Sequence, residues 1–241
     1  MGESSYVTGI DIQRDRSQRL LGLSQKDYIE IILGRFEMKN CSSIVSPIIK
    51  SDKFSLNQYP QYALEKEQMK DIPYASLVGS LMYAHVCTRP DIAFAVEMLG
   101  RYQSNPGLDH WKAGKRVLRY FQGTKDFKLT YNSLEVIGYL DFDLGGCKNT
   151  GKSTSGYIFL LTGGVVSWRS VKQTIVATST TEAEFIACYE ATSQVLWLKN
   201  FISGLRIVDS ISRSLRILCD TSAAVFFSKN YKVVAEASTS T

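Results

Sequence analysis

Apolar residues recur at two different periods along the 241-residue chain, and the period changes near residue 132. Before it, helical spacing dominates. After it, short alternating runs separated by glycine turns predict strands. Residues 6–23 read as a strand pair, Tyr6-Val-Thr-Gly-Ile-Asp-Ile12 followed by Leu20-Leu-Gly-Leu23. Ser24 then reads as an N-cap with Asp27 three residues on, and the helix it opens carries Tyr28, Ile31, Ile32 and Phe36 on one face. Residues 41–70 are polar and irregular and predict a long loop. A helix over Tyr74–Val86 is rich in small residues (Ala75, Ser76, Gly79, Ser80, Ala84), a composition that lets another helix approach closely. Thr88-Arg-Pro-Asp91 restarts a helix with Pro90 in its first turn, Ser104-Asn-Pro-Gly107 ends it, and Asp109 caps a further helix over Trp111–Gln122 that Gly123 closes. Beyond residue 132 the predicted order is a strand at Val136–Asp141, a hairpin of Gly156–Leu161 and Val165–Ser170 turning at Gly163-Gly164, a long helix over Thr181–Leu205, a strand at Leu215–Asp220 and a short helix from Thr221. A hairpin sheet followed by a crossover helix and another strand is an α/β or α+β layer arrangement.

Composition changes this picture little. Hydrophobic content of 44% and charged content of 21% are ordinary for a folded chain, and the net charge of +5 suits a nucleic-acid partner without requiring one. Five cysteines, none at C-x-x-C spacing, argue against a zinc site or a disulfide scaffold and for a reducing compartment. No secretory signal pattern opens the chain and no apolar run is long enough to span a bilayer, so the expected location is the cytoplasm or nucleus, with no membrane partner.

Three acids stand out by position: Asp141 ending the first strand after residue 132, Glu182 in the first turn of the long helix, and Asp220 ending the last strand. Glu182 shares helical spacing with Ile186, Tyr189 and Leu196, which predicts that it faces the sheet. Glu184 then points away and becomes the capping partner of Thr181. Carboxylates converging from strand ends and a helix suit Mg²⁺, and two such ions can clamp the attacking and leaving oxygens of a phosphodiester. The plainer reading is that all three are solvated acids placed at element ends for local reasons.

Several motifs in order carry a family resemblance. Gly138-Tyr-Leu-Asp-Phe-Asp-Leu-Gly145, Lys152-Ser-Thr-Ser-Gly-Tyr157, Gly164-Val-Val-Ser-Trp168, Lys172-Gln173, Ser179-Thr-Thr-Glu-Ala-Glu-Phe185 and Leu218-Cys-Asp220 resemble the ribonuclease H domain of copia-type retrotransposons. Upstream, Val78-Gly-Ser-Leu-Met-Tyr83, Thr88-Arg-Pro-Asp-Ile92 and His110-Trp111 with Val117-Leu-Arg-Tyr120 resemble the thumb and connection of the same polyprotein, and Tyr6–Ile12 with Leu23-Ser-Gln25 the end of its palm. The fold implied is α+β: a mainly helical thumb and connection region at 1–132, an incomplete RNase H-like α/β domain at 133–232, and a disordered tail at 233–241. The activity implied is hydrolysis of RNA in RNA–DNA hybrids with Mg²⁺ (or Mn²⁺), held by Asp141, Glu182 and Asp220 as catalytic and metal-binding residues. The remainder of a Pol polyprotein is a further expected partner.

Departures from the family pattern qualify that expectation. The polymerase signature would lie upstream of Met1, so no copying activity is expected. The family's fourth acid, expected after Asn230, is missing from Tyr231-Lys-Val-Val-Ala-Glu-Ala-Ser238, which is expected to weaken or abolish cleavage. Leu144 and Thr221 stand where the family has an aromatic residue and an asparagine. Lys112, Lys115, Arg116 and Arg119 form a basic stripe that in this context would track the phosphates of a duplex or hybrid, against the plainer reading of a solvated face. His85 and His110 read as packing or capping residues, and Trp168 and Trp197 as core. Arg213-Ser-Leu-Arg216 matches an R-x-L-R pattern of exported effectors and is taken as chance, although copia-derived pieces of this kind do carry effector-like labels. Three states of the chain therefore compete: an Mg²⁺-dependent ribonuclease H, a non-catalytic nucleic-acid-binding remnant, and an inert relic that folds poorly.

Overall fold

The computed structural model describes residues 4–49, 52, 54–131, 136–147, 149–161, 163–205 and 216–218. It is α+β, with six α-helices and two four-stranded sheets among those residues. The chain divides into two compact units, residues 1–130 and 131–241. No helix of the described residues is long and apolar enough to cross a membrane.

In the first unit, β1 (Tyr6–Val7), β2 (Ile10–Asp15) and β3 (Leu20–Ser24) run antiparallel, and β4 (Lys128–Tyr131) completes the sheet in the order β1-β2-β3-β4. The β1–β2 turn is Thr8-Gly9, both with positive φ (46° and 80°), the conformation a two-residue hairpin needs. The helices are α1 (Lys26–Arg35), α2 (Ala63–Lys70), α3 (Tyr74–Cys87), α4 (Ala93–Gly100) and α5 (Leu108–Thr124), with a 3₁₀ turn at Pro90–Ile92. Their apolar faces meet in one core that includes Ile29, Ile32, Leu33, Leu77, Leu81, Leu99, Leu118 and Phe121.

Three expectations are corrected here. The buried face of α1 is Ile29, Ile32 and Leu33, and Ile31 is 59% exposed, because the helix is rotated from the face that larger residues suggested. Inside the expected loop lies α2. It buries only Met69 and so shows no apolar period, and its start is held by the Glu65 carboxylate accepting from the N–H groups of Gln61 (2.8 Å) and Tyr62 (3.4 Å). The close helix approach is made by Gly114 of α5, where an added Cβ would sit 2.6 Å from Leu77 Cδ2; a Cβ at Gly79 of α3 would meet nothing within 4 Å.

Arg89 ties this unit together from inside. Only 1% of it is exposed. Its guanidinium donates to both carboxylate oxygens of Asp91 (2.7–3.2 Å) and to the carbonyl and hydroxyl of Thr124 (3.2 and 2.6 Å), and it lies 4.6 Å from the Phe121 ring centroid. A buried cation is tolerable only when its donors are satisfied in this way. The Thr88–Ile92 motif is thereby the clamp between the turn after α3 and the end of α5.

The second unit holds β5 (Val136–Asp143), β6 (Thr154–Leu161), β7 (Gly164–Lys172), α6 (Thr180–Gly204) and β8 (Arg216–Leu218). The sheet order is β7-β6-β5-β8. The first three strands are antiparallel neighbours, and β8 returns parallel to β5 after α6. Leu161 pairs with Gly164, so Gly164 belongs to the paired strand and not to the Gly163-Gly164 turn that the spacing suggested. One sheet face, with Leu140, Tyr157 and Phe159, packs on Ala187, Ala191, Val195, Leu198 and Ile202 of α6. Gly138 lies opposite Phe159 and leaves room for its ring; an added Cβ would fall 2.4 Å from Phe159 Cε1. The expected helix from Thr221 lies outside the described residues.

Candidate catalytic site and basic helix

Strand alternation decides where Asp141 points. Leu140 and Phe142 pack into the cluster beneath α6, so Asp141 between them lies on the other face, and it is exposed. Its cross-strand neighbour is Gly156, which adds no side chain beside it. One carboxylate oxygen accepts the N–H of Phe142 at 2.8 Å. Asp143 is exposed at the same strand end.

The start of α6 reverses the expected roles of its two acids. Ser179 is the N-cap and its hydroxyl accepts the N–H of Glu182 at 3.2 Å. Glu182 reaches back, and its Oε2 accepts both the N–H and the hydroxyl of Thr178 at 2.7 Å. These two hydrogen bonds, the backbone one first, lower the Glu182 pKa from the ordinary carboxylate value. Glu182 is thus the capping residue, and Tyr189 and Leu196, expected beside it on the sheet, are exposed. Glu184 is the buried acid, with 4% of its surface exposed, on the side of α6 that carries Ala183, Ala187 and Ala191. The physical reason is size: alanines bring the helix close to the sheet, and the large side chains are left outside. Two signals were legible in the chain. Ser-x-x-Glu at 179–182 is a capping box, and alanines at four-residue spacing mark a close-packed face.

Beside the start of α6, Gln173 is buried and joins three elements. Its amide nitrogen donates to Ser155 Oγ (2.9 Å) and to the Ala183 carbonyl (2.8 Å), and its backbone N–H donates to the Ser153 carbonyl (2.8 Å). Its side-chain oxygen is buried without a hydrogen-bond partner. Ser153, Ser155, Gln173 and Glu184 are all buried polar residues of this unit.

Asp220 lies outside the described residues. Among those described, no three His, Cys, Asp or Glu side chains come together as metal ligands. Asp141 is on the open sheet face, Glu182 is engaged in its cap, and Glu184 is on the covered side. Among the described residues these acids therefore form no three-ligand set for a divalent ion.

The basic stripe on α5 divides in two. Arg119 donates to the carbonyl (2.9 Å) and hydroxyl (2.8 Å) of Ser42, and Arg116 is hydrogen-bonded to Asp52, so both are engaged in holding residues of the preceding loop against the helix. Lys112 is exposed beside Asp109 (3.3 Å), and the Lys115 ammonium lies 5.7 Å from the Trp111 ring centroid. His110, on the same helix, is fully buried, accepts the Gly107 N–H at 2.9 Å and stacks on Tyr102 at 4.1 Å. Trp197, expected in the core, is 55% exposed.

Over 232 residues, 95% of its length, the chain is 43% identical to the retrovirus-related Pol polyprotein from transposon TNT 1-94 of Nicotiana tabacum. The chain belongs to the copia-type retrotransposon Pol family. It is also 35% identical over 228 residues to the Pol polyprotein from transposon RE2 of Arabidopsis thaliana. It spans 17% and 15% of those two polyproteins. A third relative, secreted RxLR effector protein 161 of Plasmopara viticola, is 49% identical over 133 residues, which cover 94% of that protein. No protein-family model matches this copia-type chain, and no solved structure matches it either. Of the R-x-L-R stretch at 213–216, only Arg216 is among the described residues, as the first residue of β8.

Proposed function

We propose that this chain joins the end of a copia-type reverse-transcriptase region to its ribonuclease H-like part, and that its ligand is an RNA–DNA hybrid whose RNA strand is the substrate for hydrolysis. The observation that carries the reading is the topology of the second unit. Three antiparallel strands lead through one long helix to a strand parallel to the first, with Asp141 two residues before the end of the inner strand β5. The motif order along the chain supports the same reading. Asp141 is the first acid of the site. Glu184 replaces Glu182 as the helix acid, because Glu182 already serves the helix cap. Asp220, outside the described residues, is the third acid, and Mg²⁺ or Mn²⁺ is the expected cofactor. Lys112 and Lys115 are the members of the basic stripe left to meet phosphates.

A second reading, a non-catalytic nucleic-acid binder, is favoured by one observation: the acids do not form a ligand set among the described residues. One experiment separates the two. A labelled RNA–DNA hybrid is incubated with the purified chain in Mg²⁺ and in Mn²⁺, beside Asp141→Asn, Glu182→Gln and Glu184→Gln. The catalytic reading expects cleavage that Asp141→Asn and Glu184→Gln abolish and Glu182→Gln retains. Cleavage that survives Asp141→Asn refutes it. Salt-dependent binding without cleavage by a folded chain establishes the second reading instead.

A further inference from the structure

Helix α6 carries its large side chains on the wrong side for a surface helix. Towards the sheet it presents mostly small residues, Ala183, Ala187 and Ala191 followed by Val195. Away from it, Phe185, Tyr189, Trp197 and Phe201 are 46 to 68% exposed, with Leu196 and Leu205 exposed near them. A helix that is apolar on both sides is normally covered on both.

The exposed residues have an internal order. Phe185, Tyr189, Ser193, Trp197 and Phe201 follow one another at four-residue steps, so they form a single continuous ridge. The ridge is symmetric about Ser193. Reversed end for end, Tyr189 falls on Trp197, and Phe185 on Phe201. Trp197 and Phe201 stack with near-parallel rings, 5.2 Å between centroids and 8° between planes. The Ser193 hydroxyl donates to the Tyr189 carbonyl of its own helix at 2.9 Å, so covering it leaves no donor unmet. Under the same reversal Glu190 falls on Leu196 and Lys199 on Ala187, so no like charges oppose.

We propose that this ridge is a homodimer interface, in which α6 packs antiparallel on α6 of a second copy of this chain with the two-fold axis at Ser193. Ridges at four-residue spacing interdigitate at an axial crossing of about −50°, and the small Ser193 at the crossing lets the backbones approach. A two-fold interface must be self-complementary, and the ridge already is. The area suffices: about half of each of four aromatic side chains, at roughly 150–250 Å² apiece, is about 400 Å² per copy. With the flanking leucines the pair reaches about 1,000 Å², the lower bound for a specific interface.

The test is sedimentation equilibrium over a concentration series on the full chain, its Trp197→Glu variant and its Ser193→Cys variant, with circular dichroism as the check on folding. The wild type is expected to be a concentration-dependent dimer and Trp197→Glu a folded monomer. Ser193→Cys is expected to form an intermolecular disulfide under mild oxidation that the wild type, with its native cysteines, does not. A monomeric wild type at all concentrations overturns the proposal and leaves the ridge to another partner. A dimer that Trp197→Glu does not weaken, or a Ser193→Cys chain that fails to cross-link while dimeric, overturns it equally. Ser193→Cys removes one hydroxyl and adds no charge, so it keeps the proposal falsifiable if Trp197→Glu misfolds.

Discussion

Arg89 is a charge inside a helical core, held by Asp91 and Thr124 and covered by aromatic rings. Removing it leaves Asp91 and Tyr120, whose hydroxyl donates to Asp91 at 2.8 Å, with an uncompensated charge. Arg89→Met is expected to destabilise the first unit by about 3–5 kcal/mol, the range for breaking a buried pair. Arg89→Lys is expected to recover little of that, since an ammonium cannot span both partners. Chemical denaturation measures both. His110 supplies the residue-scale pH dependence. Burial lowers its pKa from 6.5 to about 4. The unfolded chain therefore binds a proton between those values that the folded chain refuses. Stability from this group is present above pH 6.5 and falls as pH drops towards 4, by at most about 3 kcal/mol. His110→Phe is expected to flatten that part of the profile, and an unchanged slope would show that other groups govern it.

At the scale of elements, the connections carry as much of the design as the helices. Gly107, the N-cap of α5, faces the backbone of the preceding segment, and an added Cβ would fall 1.8 Å from the Gln58 carbonyl oxygen. Backbone yields less readily than a side-chain tip, so Gly107→Ala is expected to cost about 1–3 kcal/mol and to loosen the 54–60 segment. Arg119 acts on a neighbouring connection. Arg119→Ala is expected to accelerate amide exchange around Ser42 while changing affinity for hybrid less than Lys112→Glu with Lys115→Glu does. The opposite ranking would restore Arg119 to the phosphate-tracking stripe.

Each of the two units has its own core, one built from α1, α3, α4 and α5 and the other from the second sheet and α6. Two separate cores predict two unfolding transitions in a denaturant titration followed by tryptophan fluorescence. Gly138→Ala, which crowds Phe159, should move only the transition of the second unit. A single transition shifted by both Arg89→Met and Gly138→Ala would show that the units unfold as one.

Much of this was legible along the chain. The change of period near residue 132, the strand–strand–strand–helix–strand order and the motifs of a copia-type polyprotein all follow from local spacing and residue type, which need no knowledge of what packs where. Tertiary packing decided the rest. Which of two acids on one helix is buried depends on how close α6 comes to the sheet, and alanines set that distance although larger neighbours dominate any reading of hydrophobicity. Which arginines of a basic stripe are free depends on a segment more than 60 residues away, Asp52 for Arg116 and Ser42 for Arg119. The polar α2 stayed hidden because its stability comes from capping and not from an apolar face. The sequence states which residues are available, but only the folded backbone assigns a side chain to a cap, a core or an open surface, because that choice depends on distances between segments remote in the chain.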